Sequence, residues 1–357
     1  MTAGTTIPLP VASGERSTPL VADDSYFSLA LHNAQAYLGM GWLHQVAYLI
    51  CSTEVSSTLL PKHTMQSLHK VETIRKNTPS PLGLSVVLTD WLPATLDARV
   101  RITLKLVMVK DKPFGKLTEK IGTLGLASPL SLVAPQLSTG IKIAEIAGTI
   151  LSTVLEEGQE QSVLALSADL LVQELKTGYL AVLAPDIAGD TPVALELRPD
   201  GSLYNPRAPF SERTTYAVFK VRARERRGTE SARSTIWWNL LQDGLRQLRR
   251  LDHLSSDQER TDARRQWRDI LERADRLAAE DKSFLLSEVR QMIKVHADEA
   301  FALLQPPILG GSPFETTTTP FVLDEEFQRL LGVPDMTSLK LAVNDYQQAL
   351  ARSEASS

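Results

Sequence analysis

SARSTIWWNLLQDGLRQLRRLDHLSSDQERTDARRQWRDILERADRLAAEDKSFLLSEVRQMIKVHADEAFALL, from Ser231 to Leu304, is the stretch whose reading divides the chain. Trp237, Leu241, Leu245 and Leu248 recur at i, i+4, i+8 and i+11, the spacing of one helix face, with Ile236, Leu240 and Leu251 widening the stripe. Ser231 and Ser234 are candidate N-caps, because a serine oxygen accepts from the unpaired N–H groups of a first turn. Arg246, Arg249 and Arg250 fall where cations oppose the negative end of the helix dipole, and the helix is expected to stop near Leu254. Ser256 and Glu259 have capping-box spacing and open a second helix with Ala263, Trp267, Ile270, Leu271, Ala274, Leu277 and Ala278 on its apolar side. A third begins between Asp281 and Ser283 and carries Phe284, Leu285, Val289, Met292, Ile293, His296, Ala300 and Phe301. The short polar joints predict antiparallel neighbours, a three-helix antiparallel bundle. Trp237 and Trp238 are adjacent, so they point about 100° apart. One belongs to the core; the other, taken as Trp238, is a partner anchor or part of a seam.

In front of this block the pattern is that of strands. Ala98 to Met108 alternates most cleanly, with Ala98, Val100, Ile102, Leu104, Leu106 and Met108 on one side and Arg99, Arg101, Thr103 and Lys105 on the other. Such alternation suits an antiparallel sheet with one wet face. Further strands are expected around Phe27–Leu31, Val46–Cys51 and Gly83–Asp90. Ser162–Glu174 and Gly178–Ala184 are read as a hairpin about Leu175-Lys176-Thr177. Arg198-Pro199-Asp200-Gly201 is the strongest turn signal, and Thr214–Arg222 offers two alternating faces. Thr64 to Lys76 is read instead as a helix, from Met65, Leu68, Val71 and Ile74. Two more helices, Phe114–Leu124 and Thr139–Glu157, make an insertion.

The expected architecture is α+β. Residues 1–24 are disordered, and 25–222 form an antiparallel β-sandwich-like domain with a helical insertion at 114–157. Residues 223–304 form the helical domain, and 305–357 are a Pro/Thr-rich linker with short tail helices. The tail helices, Asp324–Leu331 and Met336–Arg352, carry Phe327, Leu330 and Leu331, then Leu339, Val343, Tyr346 and Leu350. These stripes need a groove, supplied by a partner or by the chain itself.

Composition narrows function mostly by exclusion. A net charge of −4 gives no overall pull towards polyanions, so nucleic acid is not the expected partner. The single cysteine, Cys51, forms no internal disulfide, which fits a reducing compartment. Met1 to Asp24 has neither a basic stretch nor an apolar core of the signal-peptide kind, and a cytoplasmic location is expected. No apolar run reaches bilayer length.

No chemical motif stands out. There is no G-x-S-x-G, Walker A, G-x-G-x-x-G or H-E-x-x-H sequence, so no catalytic, cofactor-binding or metal residue is assigned. His63 and His69 are six apart and share no helix face, and Asp186 and Asp190 bracket a loop. Cys51 with one of His32, His44, His63 or His69 is the thiol pair that a hydrolase would need. Arg222, Arg224, Arg226, Arg227 and Arg233, interrupted by Glu225 and Glu230, are a phosphate contact, a protease-sensitive hinge or a solvated joint. The leading expectation is a non-catalytic intracellular adaptor or regulatory protein. Its partner, another protein, would meet Trp238, Arg224, Arg226, Arg227, Phe327, Leu330, Tyr346 and Leu350. The alternatives are a membrane-acting effector using Pro129–Glu157, released by cleavage at the arginine-rich joint, and a cysteine hydrolase at Cys51.

Overall fold

A computed structural model describes residues 2–3, 5–9, 17–37, 46–60, 64–109, 161–184, 195–205, 214–250, 257–304 and 322–355. The fold is α+β with antiparallel sheets. The strands are β1 (Thr2–Ala3), β2 (Thr5–Leu9), β3 (Tyr26–Tyr37), β4 (Val46–Ser57), β5 (Thr64–Arg75), β6 (Pro79–Pro81) and β7 (Val86–Val87). They continue with β8 (Leu92–Pro93), β9 (Arg99–Val109), β10 (Gln161–Leu171), β11 (Gly178–Leu183), β12 (Glu196–Leu197), β13 (Leu203–Tyr204) and β14 (Tyr216–Arg224). The helices are α1 (Thr229–Ala232), α2 (Ile236–Arg250), α3 (Asp257–Glu280), α4 (Leu286–Leu304), α5 (Glu325–Leu331) and α6 (Met336–Ala355). The predicted insertion helices, and Pro129–Glu157, lie outside the described residues. So do the Asp186–Asp190 loop, His44 and His63.

The chain divides into two compact units, one of Met1–Ala22 with Phe27–Ala223 and one of Asp23–Tyr26 with Arg224–Ser357. In the first, one sheet runs β1-β10-β9-β4-β5 and another runs β2-β11-β14-β3-β6, with β7 and β8 also pairing to β3. β1 runs parallel to β10, whereas β10–β9, β9–β4, β4–β5, β2–β11, β11–β14, β3–β6, β3–β7 and β12–β13 are antiparallel. The strands Thr2–Ala3 and Thr5–Leu9 thus give order to part of the segment 1–24 expected to be disordered. Backbone N–H and C=O groups at a sheet edge are satisfied by any extended segment that reaches them, whatever its composition.

β9 behaves as its alternation predicts. Val100, Ile102, Leu104 and Leu106 are buried and Arg99 and Arg101 are exposed. Arg101 pairs with Asp169 at 2.8 Å across β10, and Lys105 with Glu54 across β4. The inner side chains of both large sheets enter one apolar cluster: Leu49, Cys51, Ile102, Leu104 and Leu166 from one, Phe27, Leu29, Val182 and Phe219 from the other. The opposite face of β14 contributes Tyr216 and Val218 to a second cluster, closed by the β12–β13 pair. Gly201, at φ 82°, makes that tight turn, and its carbonyl accepts from Asn33 Nδ2 at 2.9 Å.

Two expectations, one of a helix and one of a hairpin, are corrected. Thr64–Arg75 is a strand and not a helix, for a reason visible in its register. Cys51 pairs with Lys70 but Ser52 with Leu68, so His69 is an extra residue, a β-bulge. The bulge moves the inward face from Met65 and His69 to Lys70, Glu72 and Ile74. A phase change of this kind erases period-2 alternation and leaves apolar residues at accidental helical spacing. Second, β10 and β11 do not pair as a hairpin. A turn of 3-10 helix at Val172–Glu174 carries the chain from the first sheet to the second.

In the second unit, α2 buries Trp237, Leu241, Gly244 and Leu245. α3 buries Ala263, Trp267, Leu271, Ala274 and Ala278. α4 buries Val289, Met292, Ile293, Ala297, Ala300 and Phe301. All enter one apolar cluster with α5 and α6. Gly244 lets α3 approach, since a Cβ there would lie 2.8 Å from Trp267 Cζ3. The cap of α2 is Thr235, whose Oγ1 accepts from Trp238 N at 3.3 Å, rather than Ser231 or Ser234. Ile236, read as part of the stripe, is 74% exposed because it falls one position outside the arc centred on Trp237 and Leu241.

Candidate functional site

The second unit contains a charged group that the sequence reading passed over. Glu288 stands at the third position of α4 and is fully buried. Its Oε1 accepts from the backbone N–H of Arg227 (3.0 Å) and Gly228 (3.2 Å), and its Oε2 accepts from Arg227 N at 3.1 Å. Tyr346 OH donates to Oε1 at 3.3 Å, and the Tyr26 hydroxyl is a further hydrogen-bond partner of the carboxylate. Leu285, the residue before α4, has no side-chain oxygen to cap the helix. Its N–H is accepted by Tyr26 OH at 2.8 Å, so a residue 259 positions away relays between the N-cap amide and the carboxylate. Burial first, then the charge and hydrogen bond of Glu288, hold the Tyr26 phenol well above its ordinary pKa, which keeps it a donor.

Several of the predicted interaction residues converge here. Arg227 Nη1 donates to Ser283 O at 2.7 Å, and its guanidinium lies 4.8 Å from the centre of the Phe284 ring. Arg224 Nη2 donates to Arg227 O at 2.6 Å. Arg226 donates to Glu225 O at 3.0 Å and lies 3.6 Å from Asp24. Gly228, at φ 90°, brings the turn against Leu350, whose Cδ1 would be 3.5 Å from an added Cβ. Ser353 Oγ donates to Arg226 O at 3.3 Å. The three arginines therefore brace a turn that presents backbone donors to one carboxylate. Arg222 and Arg233, at the ends of the run, are exposed.

The other named residues lie elsewhere in the same unit. Phe327 is buried, with its ring edge-on to Phe301 at 5.0 Å, and Leu330 packs part-buried on the same cluster. Tyr346, Leu339 and Val343 are buried too. Of the two fates open to the tail stripe, the structure has it folded back on its own chain. Trp238 is half-buried, edge-on to His296 at 4.6 Å. His296 meets Met292 O through Nδ1 and Gln242 Nε2 through its own Nε2, both at 2.8 Å. A carbonyl requires a donor and an amide nitrogen requires an acceptor, so the proton sits on Nδ1. Burial lowers the His296 pKa, in keeping with a neutral ring.

Cys51, on β4 of the first unit, is fully buried, and burial pushes its thiol up to about 12. His69 Nε2 is engaged by Thr53 Oγ1 at 2.6 Å, and His32 lies against Tyr179 with ring centres 4.8 Å apart. Among the described residues, no group of three or more His, Cys, Asp or Glu side chains is arranged to hold a metal ion. No helix among them is long and apolar enough to cross a membrane.

Compared with known proteins, the chain matches no family model, no curated protein and no solved structure.

Proposed function

We propose that this protein acts by binding another protein, as a non-catalytic adaptor or regulatory subunit of the cytoplasm. The scaffold is read as a β-sandwich-like first unit followed by an antiparallel helical bundle onto which the tail helices close. The reading rests most on Cys51. A hydrolase would need this thiol exposed and paired to a base, and it is sealed in the apolar cluster instead. Glu288 supports it as well. A carboxylate whose lone pairs already meet backbone and phenol donors has none left for a substrate proton.

The partner surface is placed at the start of α2. Ile236 is 74% exposed and Arg233 is exposed beside it in sequence. The test uses the full chain, because removing the tail would also remove core side chains. Wild type and an Ile236→Glu, Arg233→Glu double variant are compared for proteins captured from the native lysate, with circular dichroism confirming equal folding. A partner held by wild type and lost by the variant supports the reading. Identical capture by both removes this surface. Labelling of Cys51 in the folded protein by an activity-based thiol probe would return the reading to an enzyme.

A further inference from the structure

β5 is the outermost strand of the first sheet, and among the described residues it pairs on one side only, with β4. Its bulge places His69, only 8% exposed, on the inward face, hydrogen-bonded to Thr53 Oγ1. The residues of β4 and β9 on that face are Cys51, Thr53, Val55, Ile102, Leu104 and Leu106, none of them charged at neutral pH. On β5 itself the inward charges are Lys70 and Glu72, paired with each other at 2.7 Å, with Lys70 Nζ also donating to Leu82 O at 2.8 Å. Glu54 lies on the outward face, engaged by Lys105 and by Gln66. The inward face of β5 is thus neutral as a whole, and a proton on His69 would give it an uncompensated positive charge against an apolar cluster.

We infer that His69 is an acid-operated release for this edge: when its imidazole is protonated, β5 separates from β4 and uncovers Cys51. Burial already lowers the His69 pKa from 6.5 to about 4. The opened strand therefore binds more protons than the closed one between those values. Opening becomes easier as pH falls through that window and levels off below it. Cys51 is the reporter, because it pairs directly with Lys70 and is the only thiol in the chain.

The experiment follows labelling of full-length protein by 4,4′-dithiodipyridine from pH 7 to pH 4, each rate normalised to the urea-unfolded chain at the same pH. Hydrogen exchange of the β4 and β5 amides is measured in parallel. The expected result is acceleration by roughly 100-fold in wild type between pH 7 and pH 4, the full factor of about 300 carried by a shift of about 2.5 pKa units being reached only below pH 4. His69→Gln, which keeps a group able to bond to Thr53 and does not titrate, is expected to give a flat profile. A flat wild-type profile, or equal acceleration in His69→Gln, overturns the inference. Should His69→Gln fail to fold, the wild-type exchange map decides. Amides of β5 opening ahead of β9 and β14 support the release; simultaneous opening of the whole unit refutes it.

Discussion

At the scale of single residues, Glu288 controls the second unit. Four hydrogen-bonding groups converge on its carboxylate: the N–H groups of Arg227 and Gly228 and the hydroxyls of Tyr26 and Tyr346. Glu288→Ala would leave these donors buried without their acceptor, at a cost on the order of 3–5 kcal/mol. Tyr346→Phe removes one donor at 3.3 Å and should cost about 1 kcal/mol. Urea unfolding followed by tryptophan emission separates the two, since Trp237 and Trp267 are both buried in this unit. A Glu288→Ala variant within about 0.5 kcal/mol of wild type would show that the carboxylate is not the anchor. Gly244→Ala tests close packing. The new methyl would stand 2.8 Å from Trp267 Cζ3 and 2.9 Å from Ile270 Cδ1, so a loss of about 1–3 kcal/mol is expected despite alanine's better helix propensity. A stabilised variant would mean that α2 and α3 can part at no cost.

At the scale of elements, legibility followed how local the determining physics is. The helices α2, α3 and α4 were readable because each buries a stripe set by its own periodicity, and α5 and α6 for the same reason. β9 was readable because one face is charged. β5 was not, because a bulge is specified by its partner strand and leaves no mark of its own in the alternation. Nor was the joint after β10, where neighbours in sequence join different sheets. The Glu288 site was half legible. The arginine run drew notice by its density of charge and Tyr346 by its place in the tail stripe, but Glu288 looked like an ordinary first-turn acid, and Tyr26 lies 259 residues from the amide that it caps. Where capping is local, a simple forecast holds. Asp324 Oδ1 accepts from Phe327 N at 2.9 Å, so Asp324→Ala should cost about 1 kcal/mol in a thermal melt, and Asp324→Ser clearly less. Equal loss in both variants would point to the charge near the dipole rather than to the cap geometry.

At the scale of the molecule, the tail is a component of the second unit and not an appendage. Leu323, Phe327, Leu331, Leu339, Val343 and Tyr346 all belong to its apolar cluster. Burying a large apolar side chain contributes about 1.5–3 kcal/mol. Removing six therefore takes away on the order of 9–18 kcal/mol, as much as the whole net stability of an ordinary domain. A chain ending at Pro306 should consequently lose the second unit altogether, with the emission of Trp237 and Trp267 shifting to that of solvated indole. The far-UV signal of the strands should persist, because Met1–Ala22 and Phe27–Ala223 keep the sheet partners described for them. This outcome bears on every binding experiment. A partner lost on truncation at Pro306 would be lost through unfolding, whether or not the tail touches it. Conversely, a truncated chain that keeps cooperative unfolding with buried tryptophans would show that α2, α3 and α4 suffice for the core. The stripe of Phe327, Tyr346 and Leu350 would then be free to exchange its own groove for a partner's.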